Sequence, residues 1–282
     1  MGELPPSLRK RPLFAADGVI VSDVRCSSCR SSWSQPEEAS QHALVLVRRG
    51  CFRLRTAGRE LLADAACVYF ERSGEAYEVA HPHEGGDACT QIVVDEELLG
   101  AIAGDAGLPS RATFSSPQVD LQHRLLLAHA ERGDDALELA ERAVGLVASI
   151  LGHADTSGRP ARRASAVRTR RRAVDDARQA LAVSPAAGLL DLARAVAVSP
   201  HHLSRIFRAE TGETISRYRN RVRVRVALER LADGEERLTR LAAELGFADH
   251  AHLTRVVRAE TGWTPSVLRA ALGRAPEPAA AS

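Results

Sequence analysis

Two helix-length stretches, "SPHHLSRIFRAETG" and "DHAHLTRVVRAETG", carry polar and cationic side chains at matched positions about fifty residues apart. In the first, Leu203, Ile206 and Phe207 are spaced to bury one helix face; in the second, Leu253, Val256 and Val257 are. The other face is then His201, Ser204, Arg205 and Arg208, with His202 alongside, and correspondingly His250, Ala251, His252, Thr254, Arg255 and Arg258. A mid-helix guanidinium can donate two hydrogen bonds to a guanine edge, which makes Arg205 and Arg255 candidate base readers. Arg208 and Arg258 lie a turn further on, suited to a phosphate or simply to solvent. A second chemical set is Cys26-Ser27-Ser28-Cys29 together with "AHPHEGGDAC". Zinc prefers four N and S ligands in a tetrahedron, so Cys26, Cys29, His81, His83 and Cys89, with Asp87 between them, are candidate metal ligands. One C-x-x-C without a second pair fits buried thiols and a Gly-containing loop as well.

Each cationic helix needs a partner to hold it. Aligning "LARAVAVSPHHLSRIFRAETG" with "LAAELGFADHAHLTRVVRAETG" shows a repeat with one residue inserted between Phe247 and Asp249. Each copy reads as a short helix ending near Ala197 or Gly246, a tight turn, and a second helix. That helix starts at an N-cap, Ser199 before Pro200 or Asp249, and stops at Gly212 or Gly262. This is a helix-turn-helix pattern suited to a major groove. Between the copies a helix is expected from Ile215 to Asp233, about 28 Å long. Successive major-groove faces lie roughly 34 Å apart, so it can hold both heads on one side of a duplex. Arg219, Arg221, Arg223 and Arg225 line parts of it, some within reach of the intervening phosphates.

Upstream, residues 18–95 read as short strands: "HALVLVRRG", "CFRLRTAGREL", "ACVYFERSGEAYEVAH" and "CTQIVVD" are β-branched, alternating and punctuated by Gly turns. An antiparallel sandwich or small barrel is expected, with Tyr69, Phe70 and Tyr77 as candidate lining of an effector pocket, though each is also ordinary core material. After Pro117, helical spacing broken at Gly133-Asp134-Asp135 predicts an antiparallel pair of helices. The expected organisation is therefore α+β with two domains. Residues 1–115 form the β domain, 116–153 the hairpin, 154–172 an Arg-rich linker, 173–273 the double helix-turn-helix and 274–282 a disordered tail. The linker's Arg159, Arg162, Arg163, Arg168, Arg170, Arg171 and Arg172 suit either a solvated tether or a phosphate backbone.

The net charge of +2 conceals an asymmetry. Residues 1–157 hold 15 basic and 23 acidic groups, residues 158–282 hold 23 and 13, so the C-terminal half has the charge to meet a polyanion. No apolar run approaches a membrane span or a secretion signal, which predicts a soluble cytoplasmic protein with no membrane partner. In that compartment the five cysteines, all in the acidic half, are expected as thiols.

On the phrases "VSPHHLSRIFRAETGETISRYRNRVRV" and "LAAELGFADHAHLTRVVRAETGWTPSVLR", residues 175–272 resemble the AraC/XylS family of bacterial transcription regulators. The resemblance implies a cupin-like N-terminal sensor domain and a hairpin that pairs two subunits. Base-reading positions would fall at His201, Ser204, Arg205, His250, Ala251, His252, Thr254 and Arg255. Promoter DNA and RNA polymerase are the implied partners, in an activator that is not an enzyme. Leu253 and Val257 stand where the family often has aromatic residues. Metal-dependent cupins carry an H-x-H pair and a later histidine; here His42 is alone and Tyr77 takes the later place, which favours a sensor over an oxygenase. The competing expectation is a thiol- or metal-based sensor, or a cysteine acceptor using Cys26, Cys29 and Cys89, with DNA binding only for localisation. No cofactor is required by these residues; zinc or a small-molecule effector is the candidate ligand.

Overall fold

The computed structural model describes residues 7–16, 18–56, 58–81, 85–104, 107–109, 112–156 and 164–273. The N-terminal half is an antiparallel β-sandwich. Strands β1 (Leu8–Ala16), β2 (Val19–Cys26), β4 (Ala43–Arg49), β7 (Cys67–Glu71), β9 (Asp87–Val94) and β10 (Thr113–Phe114) form one sheet, ordered β1-β2-β9-β4-β7-β10. Strands β3 (Glu37–Glu38), β5 (Cys51–Thr56), β6 (Arg59–Asp64) and β8 (Ala76–Ala80) form the other, ordered β3-β8-β5-β6. The run "ALVLV" is buried on both sides because alternate residues serve two cores. Leu44 and Leu46 face a helical layer, while Val45 and Val47 face the second sheet with Phe52 and Leu54. Strand β1 lies upstream of the expected strands. Its Pro12 and charged side chains hide the alternation, but it is an edge strand, and its register shifts between Pro12 and Phe14.

Helix α1 (Glu96–Ala103) follows, and then the expected hairpin, α2 (Pro117–Arg132) and α3 (Ala136–Thr156). Ser116 caps α2, and Gly133 ends it in the left-handed conformation. Leu139, Leu146, Val147 and Ile150 of α3 cover the six-stranded sheet. The segment read as a linker is partly helix, since α4 spans Ala164–Val183. Alanine and arginine are good helix formers, and Val174, Ala177 and Leu181 give α4 an apolar stripe that packs with the first head. Arg159, Arg162 and Arg163, and the tail 274–282, lie outside the described residues.

The C-terminal region continues with α5 (Leu189–Ala195), α6 (Pro200–Thr211), α7 (Ile215–Ala232), α8 (Leu238–Glu244), α9 (His250–Thr261) and α10 (Pro265–Leu272). Helix α7 runs through the middle and is enclosed on most sides. Val224, Leu228 and Leu231 face α8, α9 and α10, while Tyr218 and Val222 face α4, α5 and α6. Among the described residues no helix is long and apolar enough to cross a membrane.

Candidate nucleic-acid interface

The two heads are built alike down to single hydrogen bonds. Val198 N–H donates to Ala193 O at 3.1 Å and Phe247 N–H to Ala242 O at 2.9 Å, closing the helix before each turn. Ser199 and Asp249 then accept from the backbone N–H of His202 and His252. At the far end the hydroxyls of Thr211 and Thr261 donate back to Phe207 O and Val257 O, both at 2.8 Å, and accept from the N–H of Glu213 and Trp263. Gly212 and Gly262 take φ +85° and +80° and donate to Arg208 O and Arg258 O. The repeated RAETG is thus a corner that turns each cationic helix into the next, α7 or α10.

Between cap and corner, Leu203, Ile206 and Phe207 are buried in α6, and Leu253 and Val257 in α9, with Val256 half-buried. His201, Ser204, Arg205 and Arg208 are exposed, as are His250, Ala251, Arg255 and Arg258, with Thr254 half-buried. Two histidines are engaged within the heads. His202 Nδ1 lies 3.1 Å from Arg205 Nη2, steadying that guanidinium. His252 Nδ1 accepts from the N–H of Ala248, the inserted residue, at 3.3 Å, and its ring packs edge-on against Phe247. The expectation of a base-reading His252 is corrected to that extent: the insertion turns the ring onto the turn.

The α7 arginines correct a further expectation. Arg225 pairs with Asp120 at 2.7 Å and Arg221 with Glu213 at 2.6 Å, and both donate to Ser115 O. Arg223 donates to Pro185 O and Arg219 to Ala187 O. They are struts between elements, because α7 is enclosed and a side chain from most of its faces meets protein.

This geometry decides how the C-terminal region is classified. The family profile described as a helix-turn-helix domain matches residues 192–271. The C-terminal region is an AraC-type helix-turn-helix domain. Over 73 residues the chain is 37% identical to the transcriptional activator RhaS of Escherichia fergusonii, covering 26% of each chain. Over 81 residues it is 32% identical to the regulator Rv1931c of Mycobacterium tuberculosis, covering 29% of this chain and 31% of that one. The matches span about a quarter to a third of these relatives' length. The crystal structure of ToxT from Vibrio cholerae aligns with 90% of this chain and 98% of its own at 9% identity, with a TM-score of 0.37, too low to carry an argument.

The N-terminal candidates divide. Consecutive strand residues point to opposite faces, so Tyr69 sits between the sheets and Phe70 under the helices, and no single pocket holds both. Tyr69 stacks edge-on with Phe52 at 5.8 Å. Tyr77 donates to Glu37 at the sandwich rim. For Tyr69 and Phe70 the expected pocket is corrected to packed core, while Tyr77 is half-buried at the rim. A cavity of about 10 Å³, room for one water, lies elsewhere, among Leu46, Ala65, Cys67, Ser115, Asp120, His123, Arg124 and Arg225.

Cys89 is 3% exposed, and burial, reinforced by Asp87, pushes its thiol well above the ordinary range. Burial likewise raises Cys51 and Cys67 to about 12. A thiol so buried and held protonated is ill suited to the acceptor role of the competing expectation. Cys26 is half-buried and Cys29 exposed. Of the candidate ligands, the structure brings Cys26 and His81 together, with Asp87 as the third. His81 is raised to about 9: burial favours the neutral ring, but Asp87 and Cys26 outweigh it. His83 lies outside the described residues.

Proposed function

We propose that the whole chain is a sequence-specific transcription regulator whose α6 and α9 enter successive major grooves of promoter DNA. The observation that carries this reading is the duplicated outward face, with Arg205 and Arg255 exposed at matched positions on two helices of identical construction. In this reading Arg205 and Arg255 contact bases, with His201, Ser204, His250, Ala251 and Thr254 beside them. Arg208 and Arg258 contact phosphate, and His202 and His252 hold the reading surface in shape. Because "SPHHLSR" and "DHAHLTR" differ, the two heads read different bases, and one chain occupies about two turns of a non-palindromic site.

The sandwich is the sensing domain for an effector, and segment 116–153 pairs two copies through the outward side of α3, where Glu141, Gly145, Ala148 and Gly152 are exposed. The protein works in the cytoplasm as an activator and contacts RNA polymerase. Sedimentation of the full chain, with Ala148→Arg expected to split the dimer, tests the pairing.

For DNA reading, the full-length protein is used to select sites from random duplexes, and Arg205→Ala and Arg255→Ala are titrated on the selected site. Each variant is expected to cost about 1–3 kcal/mol there and to relax preference at its own base pair. An equal loss on all sequences would reassign that arginine to phosphate, and affinity independent of salt would refute groove binding.

A further inference from the structure

We propose that Cys26, His81 and Asp87 form a binding site for a zinc-class divalent cation at one end of the N-terminal sandwich, apart from the DNA-reading heads. Cys26 and Asp87 are direct partners across β2 and β9, and His81 follows the end of β8. A sulfur, a ring nitrogen and a carboxylate oxygen from these three residues lie within 4.8 Å of one another. Ligands at zinc distances of roughly 2.0–2.3 Å in a tetrahedron stand about 3.3–3.8 Å apart, so closure needs shifts of about an ångström.

The carboxylate supplies the second observation. Asp87 is 5% exposed, and its Oδ1 accepts from Cys89 Sγ at 3.5 Å. Its Oδ2 is buried and makes no well-aligned hydrogen bond; its partner is His81 Nε2, 2.9 Å away. Carboxylate and imidazole therefore already face each other beside the Cys26 sulfur, and a cation between the three replaces the His81–Asp87 contact with bonds to all three groups.

The surrounding backbone holds the three residues in place. Gly86, at φ +65°, brings its loop so close to β2 that a Cβ there would sit 2.1 Å from the Cys26 carbonyl oxygen. The His81 N–H donates to Arg30 O at 2.7 Å, and its ring packs against Phe52. One thiolate, one imidazole and one carboxylate suit zinc rather than magnesium or calcium, which take oxygen ligands. Among the described residues three protein ligands meet, and a tetrahedral ion takes a fourth. Coordination releases the Cys26 thiol proton, and any proton on His81, to solvent. Cys89 orients Asp87 without joining the set.

The test uses reduced, chelator-stripped full-length protein titrated with zinc(II) against a chromophoric chelator, and with cobalt(II) followed by absorption. One equivalent is expected, with a thiolate-to-cobalt charge-transfer band. Cys26→Ser should remove the band and weaken zinc about 100-fold or more; His81→Ala and Asp87→Asn should weaken it comparably. Cys29→Ser should keep both stoichiometry and band. Cys26 is half-exposed, so unchanged metal-free thermal unfolding of its serine variant separates loss of a ligand from loss of fold. Absence of stoichiometric binding, a band that survives Cys26→Ser, or a band lost in Cys29→Ser would each overturn the assignment.

Discussion

The two heads share one construction but are anchored to the N-terminal half by different physics. Behind the first, Tyr218 packs edge-on against Phe207 and Phe114, and its hydroxyl bonds to Asp64 of β6. Arg178 of α4 joins the same cluster, 3.0 Å from Asp64, 3.1 Å from the tyrosine oxygen and 3.2 Å from Leu62 O. Behind the second, Leu121, Leu125 and Ala128 of α2 pack into the core that holds Leu253 and Val257, an apolar seam. Ion pairs from Arg124 and Arg48 to Glu229 flank that seam. A buried polar cluster centred on Asp64 fixes the first head's orientation; at the second an apolar seam does most of the holding, with the Glu229 ion pairs at its flank. A polar lock fails abruptly when one member is lost, whereas an apolar seam weakens in proportion to the area removed.

The sharpest way to break this contrast is Asp64→Ala. It leaves Arg178 short of its more buried carboxylate and Tyr218 without an acceptor, with an expected cost of about 3–5 kcal/mol by denaturant unfolding of the full chain. Hydrogen exchange should show α6 losing protection before α9, and simultaneous loss would erase the distinction. Next comes Gly246→Ala, in the second head's turn. That residue sits at φ +71°, and a Cβ would approach Ala186 and Arg223 to 2.8 Å, so about 2–4 kcal/mol is expected from backbone strain and collision together.

Acid should act on the helix behind the second head. His123 of α2 is buried against Thr90, and burial, aided by nearby arginines, holds its pKa well below 6.5. Above pH 6.5 folded and unfolded chains are both neutral there. Below it only the unfolded chain takes the proton, so stability falls by up to about 1.4 kcal/mol per pH unit as pH drops. His123→Gln should flatten that part of a pH series of unfolding midpoints.

Smaller effects compare the heads position by position. Ser199→Ala and Asp249→Ala should each cost about 1 kcal/mol, and a much larger loss for one would mean that its cap carries more than the helix start. Smallest is Ala197→Gly. Ala197 is the first head's counterpart of Gly246, and among the described residues it is the one non-glycine at positive φ, +53°. Relief of that strain, partly offset by a more flexible unfolded chain, should stabilise by about 0.5 kcal/mol, read as a small rise in melting temperature.

What was legible in the sequence was whatever depends on neighbours along the chain. The strands of "ALVLV" and "CTQIVV", the hairpin break at Gly133 and both head boundaries follow from local period, caps and glycines. Edge strand β1 escaped notice because an edge tolerates the proline and charges that mask a strand. The start of α4 escaped because its apolar stripe begins only at Val174, after a run of arginines that reads as solvated. "RVRVRV" in α7 suggested exposed cations because alternation implies two faces, and nothing local tells that both are covered. The metal-ligand set was half legible: Cys26, His81 and Asp87 stood out as residue types among other candidates, but which of them meet was set by the β2–β9 register.

By itself, the sequence determined that there are two heads, that both fold alike, and which side chains each turns outward, since a helix's buried stripe fixes its exposed one. It also determined that the two reading surfaces differ. Only the tertiary structure decided which arginines are exposed and which are struts, because that depends on carboxylates and carbonyls most of which lie more than thirty residues away. It likewise decided that Tyr69 and Phe70 are core on opposite faces of one sheet and that three residues from three strand ends meet around one buried carboxylate. Sheet register and helix docking set those distances, and neither is written in any single stretch of chain.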